Sequence, residues 1–484
     1  MSIIDNLEPK LVWNHFNKIR RIPRCSKHEE KIREYIINFT KNNNLSYKTD
    51  NIGNIVISKT GTIGFENKPT IILQGHMDMV CEKNSDVDFD FSNDPIQLKM
   101  KKENILTAVG TTLGADNGIG VAIILAILEN KNVEHCPLEA LFTVDEETGL
   151  TGAFKLDNKM LIGRILINLD SEDFGVITVG CAGGGDTKIE LPIVKKSIEK
   201  HLVSIRLKIS GLKGGHSGVD IHEQRGNAIK IISRMLWKTS NDYKFNISDI
   251  KGGDKHNAIP REAFVNIIID NSIKKNFIDA LKNEYKNILN EISSIDPKLK
   301  MDVFDIDDIK LVLNQESQFR LLNLLYSLPH GVDKMSYEMP NLVETSTNLA
   351  TISVGQKNAI ISLSTRSSIK SSLQDLRDRI HSIANLSGAK IQEEEPYPGW
   401  KPNLESKILQ FSKKIFKDIY NKDANIEAIH AGLECGIIGE KFPGMDMISI
   451  GPTIKYPHSP DEELHINTVE KTYKYVLRII KEIE

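Results

Sequence analysis

With 484 residues, the chain is long enough for two or three domains with sizeable cores. A composition of 40% hydrophobic and 26% charged residues, with a formal net charge of -3, carries no acidic or basic bias. That argues against nucleic acid and anionic membranes as partners and leaves small uncharged or zwitterionic molecules. No stretch reaches the length that spans a bilayer, and the start, MSIIDNLEPKLVWNHF, lacks a positively charged leader with an apolar core, so a cytoplasmic location is expected. The five cysteines, Cys25, Cys81, Cys136, Cys181 and Cys435, are scattered and never form a C-x-x-C pair. This argues against a disulfide framework or a thiolate zinc site. Cys81, close to His76, reads as a small buried hydrophobe, with a catalytic thiol as the alternative.

Taken in chain order, the first signal is Ser26 followed three residues later by Glu29, then apolar residues at helical spacing in RCSKHEEKIREYIINFTKNN. The pattern predicts a capping box opening an amphipathic helix. Short apolar runs follow: NIVISK, TIILQG, LEALFTV and RILINLD. Each is bounded by Gly, Pro or charged residues and reads as a buried strand, with GIGVAIILAILEN as a helix between them. This alternation predicts an α/β fold: a mostly parallel sheet sandwiched by helices.

From residue 188 the texture changes to charged segments interleaved with new strands (LVSIRLKIS, EAFVNIII, LATISV) and helices (GNAIKIISRMLWK, KKNFIDALKNEYKNILNEI). We expect residues 1–187 and 399–484 to form one domain and 188–398 an inserted α/β lid, with the proline-rich YPGWKP as the return.

In ILQGHMDMV, strand alternation sends His76 and Asp78 to the same side. Alone, the pair reads as a hydrogen-bonded core contact. Four further stretches end a strand or open a loop with an acid or imidazole: TTLGADNGIGVA (Asp116), LFTVDEETGLTGA (Asp145, Glu146, Glu147), LINLDSED (Asp170) and GPTIKYPHSPDE (His458). Singly, each is an ordinary turn, cap or solvated charge run. Together they are different, because strand C-termini in an open parallel sheet line up along one edge where ligands sit. Two imidazoles and at least three carboxylates there make a divalent-metal site. Mixed N and O donors suit Zn²⁺ or Mn²⁺, and the excess of carboxylates suits two ions sharing one bridging group.

The set GHMDMV, LGADNGIG, DEETGLTGA, LDSED, GGHSG, HNAIPREA, LSTRSS, HAGLECG and GPTIKYPHSPDE resembles, in order and over essentially the whole chain, the M20 family of di-metal peptidases. Within that family it is most similar to the aminoacyl-histidine (Xaa-His, carnosinase-like) dipeptidase branch. The resemblance implies two divalent ions, Zn²⁺ with Mn²⁺ or Co²⁺ as alternatives. His76 and Asp170 would hold one, Glu147 and His458 the other, and Asp116 would bridge them. It also implies that Asp78 orients His76, that the Asp116–Asn117 peptide is cis, that Glu146 is the general base and that His216 stabilises the oxyanion. Asn257 and Arg366, with the backbone near Gly432, would grip the substrate. The roles of His430 and Glu434 stay open, as do a homodimer and whether His216 acts within its own chain. The implied activity is hydrolysis of dipeptides such as Ala-His or β-Ala-His. An N-acyl amino acid hydrolase or tripeptidase is the alternative, and a non-catalytic binding protein on the same fold a more distant one.

Overall fold

The computed structural model describes residues 3–198 and 202–484. The chain forms two compact units: Met1–Gly180 with Trp400–Ala428 and Leu433–Glu484, and Cys181–Gly399 with Ile429–Gly432. Residue 188 lies inside the strand Gly183–Pro192. Its alternation of charged and apolar residues marks a sheet strand with one face buried, so the change in texture there is not a linker.

The first unit is built on an eight-stranded sheet in the order Ser46–Thr49, Ile55–Lys59, Leu138–Thr143, Ile71–His76, Ile165–Asn168, Asp446–Ser449, Val176–Cys181, Asn425–Ile429. The expected parallel arrangement holds for the four central strands, Leu138–Thr143 through Asp446–Ser449. Ser46–Thr49, Ile55–Lys59 and Val176–Cys181 join antiparallel. The central strands are buried along nearly their whole length, which is why they read as apolar runs rather than alternating ones. Helix Ala115–Glu129 is apolar on every side and buried from Ala115 to Leu128, between the sheet and the helix Lys10–Ile19.

The second unit holds a nine-stranded sheet in which every strand pairing is antiparallel. Four neighbouring strands in it are Asn246–Gly252, Val343–Val354, Asn358–Ser367 and Gly183–Pro192. Helices Ala228–Thr239, Asn271–Ile292, Gln315–Ser327 and Lys370–Leu386 contribute to its apolar core, which includes Ile205, Leu207, Met235, Phe277, Leu325 and Leu376.

Two local expectations are corrected. Helix Glu30–Asn42 has no side-chain cap; Ser26 Oγ instead donates to Asp78 Oδ2 at 2.7 Å, and Glu29 Oε1 accepts from the backbone N–H of Lys27 and Asp145. Both side chains answer a tertiary partner rather than the helix end. Cys25 and Cys81 form a disulfide, so Cys81 is neither a free thiol nor a simple core hydrophobe. Their separation of 56 residues hid the pairing from any spacing rule.

Candidate active site

The parallel strands explain why the site forms. His76 is the last residue of its strand and pairs with Thr143, the last of the next; Gln74 pairs with Asn168, the last of the third. The loops carrying Glu146, Glu147 and Asp170 therefore leave the sheet beside His76. Asp116 arrives from the start of the buried helix, after Gly114 in left-handed backbone (φ 67), and the Asp116–Asn117 peptide is cis. His458, also at positive φ (60), lies on the loop before the strand Glu463–His465.

These side chains converge. Asp116 presents one oxygen to each imidazole: Oδ1 lies 3.1 Å from His76 Nε2 and Oδ2 lies 3.0 Å from His458 Nε2. Asp170 Oδ1 is 3.3 Å from His76 Nε2, and Glu147 Oε2 is 3.1 Å from His458 Nε2. The donor atoms of His76, Asp116 and Asp170 all lie within 4.8 Å of one another, as do those of Asp116, Glu147 and His458. Asp170 Oδ1 and Glu147 Oε1 are buried without a hydrogen-bond partner. Buried carboxylate oxygens are rarely left so, and a cation is the group that satisfies them. The residues therefore fit two divalent ions, with Asp116 common to both.

Electrostatics agree. Burial pushes Glu146 well above the usual carboxylate range, with the charges of Asp170, Glu147 and Glu434 adding to it against His76. Burial and neighbouring acids also raise Glu147 and Asp170, and carry Glu172 up to about 8. Burial opposes a charged His458, yet its contacts with Asp116 and Glu147 lift it to about 11. The pocket concentrates more negative charge than its imidazoles neutralise, which favours divalent cations.

Asp78 does more than orient His76, whose Nδ1 lies 3.3 Å from its Oδ1. It also accepts the backbone N–H of Glu146 at 3.0 Å and of Glu147 at 3.2 Å, so one carboxylate holds two loops. Three supports escaped the sequence reading. Buried Arg24 donates to the carbonyls of Met77, Asp78 and Gly114, tying the His76 and Asp116 loops together. Glu462 accepts four successive backbone N–H groups, from Leu113, Gly114, Ala115 and Asp116, at 2.8 to 3.2 Å. Glu29 fixes the backbone at Asp145. Arg24 carried no signal; Glu29 reads as the acidic half of a capping box, and Glu462, beside Asp461 and Glu463, as part of a solvated charge run.

Glu434, left open above, is fully buried and accepts from Gln74 Nε2 at 2.6 Å and Thr143 Oγ1 at 2.7 Å. It therefore braces the two strands that deliver His76 and the Glu146 loop.

In the second unit, Gly215–His216 pairs with Ala258–Ile259. Gly215 has φ +140, and a Cβ there would lie 2.3 Å from Arg225 Nη1, so only glycine fits this turn. His216 Nδ1 accepts the N–H of Gly218 and Val219, which leaves Nε2 as the protonated nitrogen and a donor. Arg366 is buried and reaches the Tyr397 hydroxyl at 2.9 Å. A Cβ on Gly218 would collide with the His430 carbonyl at 2.3 Å and crowd Arg366 Nε, so the GGHSG turn packs directly on both residues. His430 Nε2 meets Ser346 Oγ at 2.7 Å; burial, then the Arg366 charge, lowers its pKa to about 3. Asn257 is exposed and accepts the Ser217 N–H through its carbonyl. Gly432 ends the short stretch Ile429–Gly432, whose carbonyls of Ile429 and Ala431 receive the N–H of Ala182.

A cluster of imidazoles and carboxylates around one shared aspartate, at the C-terminal edge of a parallel sheet, defines a metallohydrolase of the di-metal kind. The chain belongs to peptidase family M20/M25/M40, whose model matches residues 72–482. It is 40% identical over 484 residues to the cytosol non-specific dipeptidase of Escherichia coli (strain K12), covering all of this chain and 99% of that protein. Its structure is similar to that of aminoacylhistidine dipeptidase from Vibrio alginolyticus, with a TM-score of 0.92 and 40% identity over 100% of this chain and 98% of the other. Aminopeptidase PepT from Bacillus cereus shares the fold at a TM-score of 0.57 and 16% identity, over 99% of both chains.

Proposed function

We propose that the protein is a di-metal dipeptidase that removes the N-terminal residue from dipeptides, Xaa-His among them. The carrying observation is Asp116, with one oxygen toward His76 and the other toward His458, each pair completed by a further carboxylate. His76, Asp170 and Asp116 would hold one ion, and Glu147, His458 and Asp116 the other; Zn²⁺ is the metal we favour. Such ions supply Lewis acidity and a water of lowered pKa.

The chain's own residues do the rest. Glu146, whose carboxylate lies beside His76 and Glu147, takes the proton of the attacking water and hands it to the departing amide nitrogen. His216 Nε2 donates to the oxygen that gains charge at the scissile carbonyl. Arg366 pairs with the substrate's terminal carboxylate, which limits the chain length beyond the scissile bond. The relatives named as dipeptidases support this reading. Among the described residues no helix is long and apolar enough to cross a membrane. With the E. coli relative named as cytosolic, this supports a cytoplasmic site of action.

The test is chelation and dialysis, followed by restoration with Zn²⁺, Mn²⁺ or Co²⁺. Hydrolysis is then measured for Ala-His, β-Ala-His, Ala-Ala, N-acetyl amino acids and tripeptides. We expect no turnover after chelation and recovery on the dipeptides. Recovery only on N-acetyl amino acids would replace the dipeptidase with an acylase.

A further inference from the structure

The antiparallel sheet of the second unit places a second polar group beside Arg366. Gly184 pairs with Arg366 and Asp186 with Ser364 on one side; Ser346 pairs with Arg366 and Asn348 with Ser364 on the other. Cross-strand partners share a face, and so do residues two apart along a strand. Arg366 and Asp186 therefore stand on one face in neighbouring rows, roughly 7 Å apart along the strands.

The two groups are built differently. Arg366 is 8% exposed, its Nε has no hydrogen-bond partner, and among the described residues no carboxylate lies within ion-pair distance of it. A guanidinium so buried calls for an anion from outside. Asp186 already has a partner: its Oδ2 lies 2.7 Å from His256 Nδ1. That imidazole is 63% exposed, against 28% for the Asp186 side chain. Burial disfavours the Asp186 carboxylate, but hydrogen bonds from His256 and Ser364, with the Arg366 charge, outweigh it and hold its pKa below the usual range. A charged acceptor thus carries an imidazole that is itself mostly exposed.

We propose that Asp186 is a specificity-determining residue, accepting a hydrogen bond from the side chain of the substrate's C-terminal residue and favouring an imidazole there. His256 keeps that place until the substrate's own imidazole takes it. A carboxylate on Arg366 and a side chain from the same Cα fit the spacing of one strand repeat. An apolar side chain that displaced His256 would desolvate Asp186 and leave it with Ser364 but without its imidazole partner. This rests on the dipeptidase reading and on Arg366 as the carboxylate grip.

The test compares kcat/KM for Ala-His, Ala-Leu and Ala-Ala in the metal-restored wild type, Asp186→Asn and His256→Ala. In Asp186→Asn the Ala-His to Ala-Leu ratio should fall about ten-fold, with Ala-Leu changed by less than about three-fold. His256→Ala removes the competitor, so the same ratio should rise through a lower KM for Ala-His. It also carries the test alone if thermal melting shows that Asp186→Asn does not fold. An equal loss on all three substrates in Asp186→Asn, or an unchanged or lower ratio in His256→Ala, overturns the role of Asp186. Absence of dipeptide hydrolysis in the restored wild type overturns this inference and the dipeptidase reading together.

Discussion

Asp116 and its neighbours show how one loop residue comes to serve two partners. A carboxylate has two oxygens, and here each faces a different imidazole, so its loss would undo both halves of the cluster at once. Adjacent Glu146 and Glu147 differ for a related reason. Glu147 turns toward His458, while Glu146 lies near His76 and keeps a strongly raised pKa, mainly from burial. Glu146→Gln preserves the shape but removes the carboxylate that we propose accepts the proton. We expect it to keep both metals by elemental analysis while turnover on Ala-His falls roughly 10²- to 10⁴-fold. A variant that loses a metal equivalent instead makes Glu146 a ligand. The candidate ligands stood out in the sequence because each is an acid or imidazole that ends an apolar run or opens a loop. Their supports did not, since Arg24 carries no local pattern, Ser26 reads as half of a capping box, and both act through carbonyls and carboxylates distant in sequence.

At the level of elements, the loop Leu113–Asp116 has no partner strand, and Glu462 takes the place of one. Four backbone N–H groups that would otherwise be buried without acceptors converge on its two oxygens. Glu462→Ala leaves them unpaired. It should cost about 3 kcal/mol or more in urea unfolding and weaken metal binding about 10- to 100-fold, because Asp116, which we propose is shared by both ions, belongs to the same loop. Unchanged metal affinity in a folded Glu462→Ala protein would separate that loop from the metal centre. The strands themselves were legible, because burial on both faces writes them as continuous apolar runs. The antiparallel pairing of their neighbours at the sheet edges, NIVISK among them, was not, since pairing direction leaves no mark in a short apolar segment.

For the molecule as a whole, stability near neutral pH depends on imidazoles that the fold holds uncharged. His430 has its pKa lowered from 6.5 to about 3, chiefly by burial and next by Arg366. The unfolded chain binds a proton there below pH 6.5, whereas the folded one does so only near pH 3. The contribution is therefore complete above 6.5 and is lost as the pH falls toward 3, the loss having reached about 2 kcal/mol at pH 5. Urea melts at pH 7 and pH 5 should show His430→Asn losing about 2 kcal/mol less than wild type over that interval. Equal losses in both proteins would assign the acid sensitivity elsewhere.

The sequence by itself determined which chemical groups are available and where along each element they fall. Hydrophobic periodicity sets strand or helix locally, and an acid or imidazole at the end of an apolar run keeps its identity whatever surrounds it. Only the tertiary structure decided which oxygen of Asp116 faces which histidine, that Cys25 meets Cys81, that Glu462 closes the Asp116 loop and that Asp186 holds His256. Those pairings join residues tens to hundreds of positions apart. Their geometry follows from strand order and chain topology, which a short local segment does not encode.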